Sequence, residues 1–183
     1  MSILAETSAT VIPAGTWSID PTHSTVEFVV KHLGLATVKG RAVDVGGTIE
    51  GGETPSIEGT VSVAGITTHD ETRDGHLRSP DFFDAERYPE LRFASTSIEL
   101  VDDELVVTGE MTIKGITKPV ELRGTFVGSG SDPWGNERIG VDLAGTIDRT
   151  EFGVDWNAPL PGGGFLLPDD VALYASFSAV KAA

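Results

Sequence analysis

From His69 to His76 the chain reads His69-Asp70-Glu71-Thr72-Arg73-Asp74-Gly75-His76, placing two imidazoles and three carboxylates within eight residues. These are the ligand types of a divalent-cation site. The spacing nevertheless fits no zinc or calcium pattern, and Arg73 and Arg78 compete for the carboxylates. The plainer reading is a charged, capped loop over the mouth of a larger element, and no metal site is assigned. His32 has two readings, a hydrogen-bonded interior residue or a polar contact for a ligand head group. Arg149, between Asp148 and Glu151, either pairs with an acid or reaches an anionic head group. His23 is expected to order the turn Asp20-Pro21-Thr22-His23, with Asp20 accepting from nearby backbone N–H groups as an Asx turn. An enzyme acting on a hydrophobic substrate would need an acid–base pair such as His32 with Asp148.

Little other chemistry is encoded. No G-x-S-x-G elbow, P-loop, G-x-G-x-x-G, H-E-x-x-H or EF-hand loop occurs in the sequence. The absence of cysteine excludes thiol nucleophiles, cysteine-based zinc sites, iron–sulfur clusters and disulfides. A formal net charge of −15 repels polyphosphate backbones, so nucleic acid is not an expected partner. No apolar run approaches the ~20 residues needed to span a bilayer. The first residues lack a basic start and an apolar stretch, so a cytoplasmic location is expected.

The elements that must position these residues have a period of two, the mark of half-buried strands. Val26, Phe28, Val30 and His32 alternate with Glu27 and Lys31. The same alternation recurs over residues 43–50, 57–63, 104–113, 120–126, 138–148 and 171–177, and less regularly over 90–100. These make eight strands of useful length, with a short one at Thr16 to Ile19. Separated by turn signals and with no helix of crossover length between them, they predict an antiparallel sandwich or barrel. The long insert from Thr67 to Pro89 is expected to hold a short helix, Arg73 to Leu77, capped by Thr72, and a second helical turn with Phe82 and Phe83. An exposed Phe82/Phe83 patch there would instead mark an interaction module. Gly47, Gly59, Gly109, Gly124 and Gly145 fall on the apolar parity of their strands. Either they mark bulges and corners, or they leave the interior roomy, as in an eight-stranded barrel that holds one small ligand.

Four blocks resemble the YceI-like family of polyisoprenoid-binding proteins: Trp17-Ser18-Ile19-Asp20-Pro21-Thr22-His23-Ser24 with the strand after it, residues 68–89, residues 109–120, and Ile147-Asp148-Arg149-Thr150-Glu151-Phe152-Gly153. The resemblance runs from about Thr16 to Lys181. It implies one domain over residues 16–183, behind an extension of residues 1–15 expected to be poorly ordered. The implied fold is all-β, an antiparallel eight-stranded lipocalin-like barrel with a short helical insert around residues 72–88. Its tunnel would hold a long isoprenoid chain, of polyisoprenoid or isoprenoid-quinone type, or another amphiphile. The family pattern names no catalytic residue or cofactor, which implies a carrier or sequestering protein rather than an enzyme. Candidate tunnel residues are Phe28, Val30, His32, Val61, Val63, Leu77, Arg78, Phe82, Phe83, Phe93, Met111, Phe126, Leu143, Arg149, Ala175 and Phe177. Among them His32, Arg78 and Arg149 are the candidates for a head group. The family usually has an aromatic where this chain has Ala42, a change that enlarges or reshapes one wall. Many members of the family carry a secretion signal, whereas the first residues here are not expected to act as one, and homodimerisation is left open.

Overall fold

The structure, a computed structural model, describes residues 10–183. Its strands are β1 (Gly15–Ile19), β2 (Thr25–His32), β3 (Ala36–Ala42), β4 (Val45–Gly51), β5 (Ser56–Ser62), β6 (Ile66–Thr67), β7 (Glu90–Val101), β8 (Glu104–Ile113), β9 (Ile116–Ser131), β10 (Glu137–Asp148) and β11 (Asp170–Lys181). One helix, α1 (Glu71–Arg78), lies between β6 and β7. Every pairing is antiparallel. The order β1-β4-β5-β7-β8-β9-β10-β11 closes on itself because β11 also pairs with β1, while β2, β3 and β6 extend from the other half of β11. Three long strands are therefore broken in two: β1 from β2 at residues 20–24, β3 from β4 at 43–44, and β5 from β6 by the 3-10 turn Val63–Gly65. Counted as continuous staves these make the expected eight-stranded barrel, each stave beside its neighbours in sequence.

The two ends of the barrel are filled differently. At the end formed by β1, β4 and the start of β10, the side chains of Trp17, Ile49, Ile57, Leu105, Val107 and Val141 are fully buried. Each such burial contributes roughly 1.5–3 kcal/mol. The chain before β1 plugs this end: Ile12 is fully buried, Gly52 N–H donates to Ile12 O at 3.0 Å, and Trp17 Nε1 donates to Pro13 O at 3.0 Å. Gly51 is required beneath the plug, since a Cβ there would sit 1.8 Å from Pro13 O. Of the extension expected to be poorly ordered, residues 1–9 lie outside the described residues, while Ile12 is buried and Pro13 half-buried. Ile12, an apolar residue with a pocket to fill, anchors the end of this segment.

The glycines on the apolar parity do not leave the interior empty. A Cβ on Gly109 would lie 2.4 Å from the Phe93 ring, and one on Gly124 would lie 1.8 Å from Asp142 O. Gly47 and Gly145 are similarly crowded, and only Gly59 has space. Four of the five therefore let neighbouring strands or rings approach as the sheet curls, which is the bulge-and-corner reading.

The break between β1 and β2 is held at Asp20. Its carboxylate accepts from Thr22 N at 2.9 Å, as the Asx turn requires, and pairs with Arg138 Nη1 and His23 Nδ1, both at 2.8 Å. Arg138, then His23, hold the Asp20 carboxyl down to about 2 from an ordinary 3.8. Because the folded-state value is depressed, the stabilisation is complete above the ordinary value and is lost as pH falls through the depressed one. Asp20→Asn should cost about 2 kcal/mol at neutral pH, the scale for charged hydrogen bonds. It should also flatten the fall in melting temperature between about pH 4 and pH 2. An unchanged acid limb in thermal melts of the variant would contradict this role.

Candidate functional site

The opposite end of the barrel is hollow. β2 and β3 flare away from the ring, and the space they enclose with α1, the turn after it, and the segment 149–167 is a cavity of about 420 Å³. The inner face of β3 presents only Ala36, Val38, Gly40 and Ala42, all small or aliphatic. Phe28 on β2 fills the place over Gly40, where a Cβ would lie 2.1 Å from its ring, and meets Phe83 edge-on at 6.4 Å. Val26, Val30, Val61, Leu91, Val171 and Leu173 complete the strand walls.

The roof comes from two segments that interlock through aromatic rings. His76 meets Phe82 at 4.9 Å and Trp156 at 4.8 Å, both edge-on, and Phe82 lies 5.4 Å from Trp156. Helix α1 is capped by Asp70, whose Oδ1 accepts from Arg73 N at 2.8 Å, so it begins earlier than a Thr72 cap would allow. Asp74 is buried and accepts from Thr68 N at 2.8 Å and Thr67 Oγ1 at 2.9 Å. Burial pushes the Asp74 carboxyl up, but the hydrogen bonds from Thr68 and Thr67 outweigh it and hold it below its ordinary value. His76 Nε2 is 2.8 Å from Asp81 Oδ2. Three members of the histidine–carboxylate run are thus used in capping α1, tying it to the barrel and holding the turn after it: Asp70, Asp74 and His76. After α1 the chain makes hydrogen-bonded turns rather than the expected second helical turn, with Asp84 in the left-handed region at φ 51°.

Arg149 is 5% exposed and lines the cavity, and its Nε and Nη1 donors face the backbone. Nε donates to Pro168 O at 2.8 Å, and Nη1 donates to Val154 O at 2.8 Å and Trp156 O at 2.9 Å. Nη2 is buried and makes no hydrogen bond among the described residues, its nearest acid being the exposed Asp169 carboxylate at 3.8 Å. The guanidinium therefore clamps the loop that carries Trp156, Leu166 and Leu167 onto the barrel. Asp148 caps the following 3-10 turn, accepting from Thr150 N at 2.9 Å, and hydrogen bonds from Thr150 hold its carboxyl below its ordinary value. It does not line the cavity, so His32 and Asp148 are not brought together as an acid–base pair.

Of the sixteen tunnel candidates, Phe28, Val30, His32, Val61, Leu77, Phe82, Phe83 and Arg149 line the cavity. Phe82 is buried and Phe83 half-buried there, so they form no exposed patch. The other eight do not line it. Arg78 is exposed, because α1 puts His76 and Leu77 on its cavity side, with Arg73 at the edge of that side, and leaves Arg78 outside. Val63 sits in the 3-10 turn that interrupts β5, where alternation no longer applies. Phe93 and Met111 face each other across β7 and β8, with the Phe93 ring occupying the place over Gly109. Phe126 and Phe177 both pair with Val141, and Leu143 pairs with Ala175, in the packed layers beyond the cavity floor. Trp156, Leu166 and Leu167 were not among the candidates. The short apolar run from Phe165 to Leu167 was their only signal, and no period marks them.

A closed antiparallel barrel, solid at one end and hollow at the other beneath an aromatic roof, is a lipocalin-like binding scaffold. The YceI-like domain model matches residues 17–179, and the chain belongs to that family. It is 37% identical over 136 residues to protein YceI of Escherichia coli O157:H7, covering 72% of this chain and 71% of that protein. Among solved structures, a Campylobacter jejuni YceI protein is 28% identical with a TM-score of 0.68, covering 84% of this chain and 90% of that one. A polyisoprenoid-binding domain from Saccharophagus degradans shares the fold at 13% identity and a TM-score of 0.68, covering 91% and 98%.

The clamp can be tested directly. Arg149→Met keeps the length of the side chain but leaves three carbonyls without their donor, a loss expected to be about 3 kcal/mol or more. Native-state proteolysis should then cut within residues 154–168. Arg149→Lys should recover only part of the stability, since an ammonium lacks the planar fork. A methionine variant as stable and protease-resistant as the parent would contradict the clamp.

Proposed function

We propose that the protein binds, and carries or sequesters, a long-chain amphiphilic lipid of polyisoprenoid or isoprenoid-quinone type, with its apolar chain in the cavity. The cavity is the observation that carries this reading: aliphatic and aromatic walls around about 420 Å³, within the range of small-molecule sites. Family membership supports it, as does the shared fold of a domain described as polyisoprenoid-binding. At about 30 Å³ for each water-sized group, 420 Å³ takes a stretch of about 14 carbons, so a longer chain extends out through the mouth. Burying 14 methylenes at about 0.8 kcal/mol each gives a gross gain of about 11 kcal/mol. After an association cost of at least about 4 kcal/mol, what remains corresponds to micromolar binding.

Binding is favoured over turnover by how the polar groups at the cavity are used. Arg149 holds loop carbonyls, Arg73 donates to Thr68, and His76 faces Asp81. His32 alone of the cavity histidines has no side-chain hydrogen bond among the described residues, which leaves it available to a head group.

Native purification followed by organic extraction and mass spectrometry is expected to recover a long-chain lipid. Ala42, 4% exposed and on the cavity wall, offers a graded test. Ala42→Phe should fill part of the empty space, leave the melting temperature unchanged or higher, and reduce long-chain occupancy several-fold. Absence of any lipid, with no uptake of added polyprenyl compounds, would overturn the proposal. A collapse of stability in Ala42→Phe would show instead that this wall is tightly packed.

A further inference from the structure

The cavity mouth is rimmed by exposed apolar side chains on two segments that carry no charge. On the β2–β3 hairpin, Leu33 is 44% and Leu35 is 82% exposed, and on the neighbouring loop Phe165 is 65% exposed. The hairpin and the loop are joined by Leu33 N–H donating to Leu166 O at 3.0 Å. His32 and Ala36 on one and Leu166 on the other line the cavity, which places the exposed residues at its opening. Residues 33–38 and 156–168 contain no acid or base, in a chain of which 22% is charged. The loop is ordered: Leu160 N donates to Gly164 O and Gly163 N to Leu160 O, both at 3.0 Å, with Gly163 and Gly164 at positive φ and a bridge between Pro159 and Phe165. Phe165 is thus held outward by a built turn.

We infer that this rim is a docking surface for a phospholipid bilayer, through which the cavity is loaded and emptied. The inference rests on the lipid-binding reading of the cavity. An apolar chain that left a bilayer through water would lose its burial methylene by methylene, whereas a mouth seated in the interface keeps the chain covered throughout. On the β2–β3 side, charge agrees with this occupant: besides His32, the only ionisable residues between 28 and 40 are Lys31 and Lys39, cations that flank the apolar tip and suit lipid phosphates, while the acids Glu27, Asp155, Asp169 and Asp170 lie behind the two apolar tips. An uncharged tip with outward leucines between two lysines, beside a second uncharged loop with an outward Phe, is the composition of an interfacial anchor.

The test uses the full chain and sedimentation with vesicles of phosphatidylcholine and phosphatidylglycerol. Leu35→Asp/Phe165→Asp should lower the partition coefficient by about tenfold or more, since two large apolar groups no longer enter the interface. Trp134, 82% exposed on the β9–β10 turn at the packed end, is the matched control, and Trp134→Asp should leave partitioning unchanged. Both changes are at exposed positions, so melting temperatures should match the parent. The double variant should take a polyprenyl probe from detergent micelles as the parent does, but from vesicles several-fold more slowly. Equal partitioning of parent and double variant, or an equal loss in Trp134→Asp, would overturn the inference. So would self-association that depends on Leu35 and Phe165 without vesicle binding, which would make the rim an interface between two copies. If the parent takes no probe from micelles, the cavity reading fails by itself, and vesicle partitioning still decides whether the rim binds a bilayer.

Discussion

Three hydrogen bonds tie the backbone of Ser178 to residues 20–24, where the stave beside β11 is broken. Ser178 O accepts from Asp20 N at 2.8 Å and from Ser24 Oγ at 3.1 Å, and Ser178 N donates to that same hydroxyl at 3.0 Å. Ser24 is buried, so these groups have no water to replace the bonds. Through them β11 stays paired along its length, with β1 on one side of the break and β2 on the other. The barrel can therefore be closed and tightly filled around β1 while β2 and β3 swing outward. The solid end supplies most of the fully buried side chains, and that stability lets the other end stay hollow without collapsing.

The seam also explains where the barrel was readable in advance and where it was not. Strands with large residues at alternate positions, such as β8, β10 and β11, announced themselves, and the antiparallel barrel follows from them. β3 did not, because its inner face is Ala36, Val38, Gly40 and Ala42, and small residues give a weak period. Those same small residues are what leave the cavity open. The feature that hid the strand is the feature that makes the site, and only the family resemblance, by marking Ala42 as unusual, pointed to it.

Side-chain placement was legible where parity or helical phase governs it. Phe28, Val30 and His32 face the cavity because β2 is regular, but alternation cannot say how far along a stave the hollow extends. Ala175 and Phe177 share the inward parity of Leu173 and still lie beyond the cavity floor. Arg149 shows a second limit. Its neighbours in sequence are acids, yet its partners are carbonyls of residues 154, 156 and 168, brought together by a loop with no periodic signal. In the charged segment 69–76 the sequence likewise does not show that Asp70 caps α1, that Asp74 is buried against Thr67 and Thr68, or that His76 faces Asp81.

The central claim is that one half of this barrel is a solid support and the other half a lipid chamber. Methyl NMR during titration with a polyprenyl compound reads both halves at once. The account predicts shift changes at Val26, Val30, Val38, Leu77, Leu91 and Leu173, with Ile49, Ile57, Leu105, Val107 and Val141 unmoved. Comparable changes in the second group, or none in the first at saturating lipid, would contradict it.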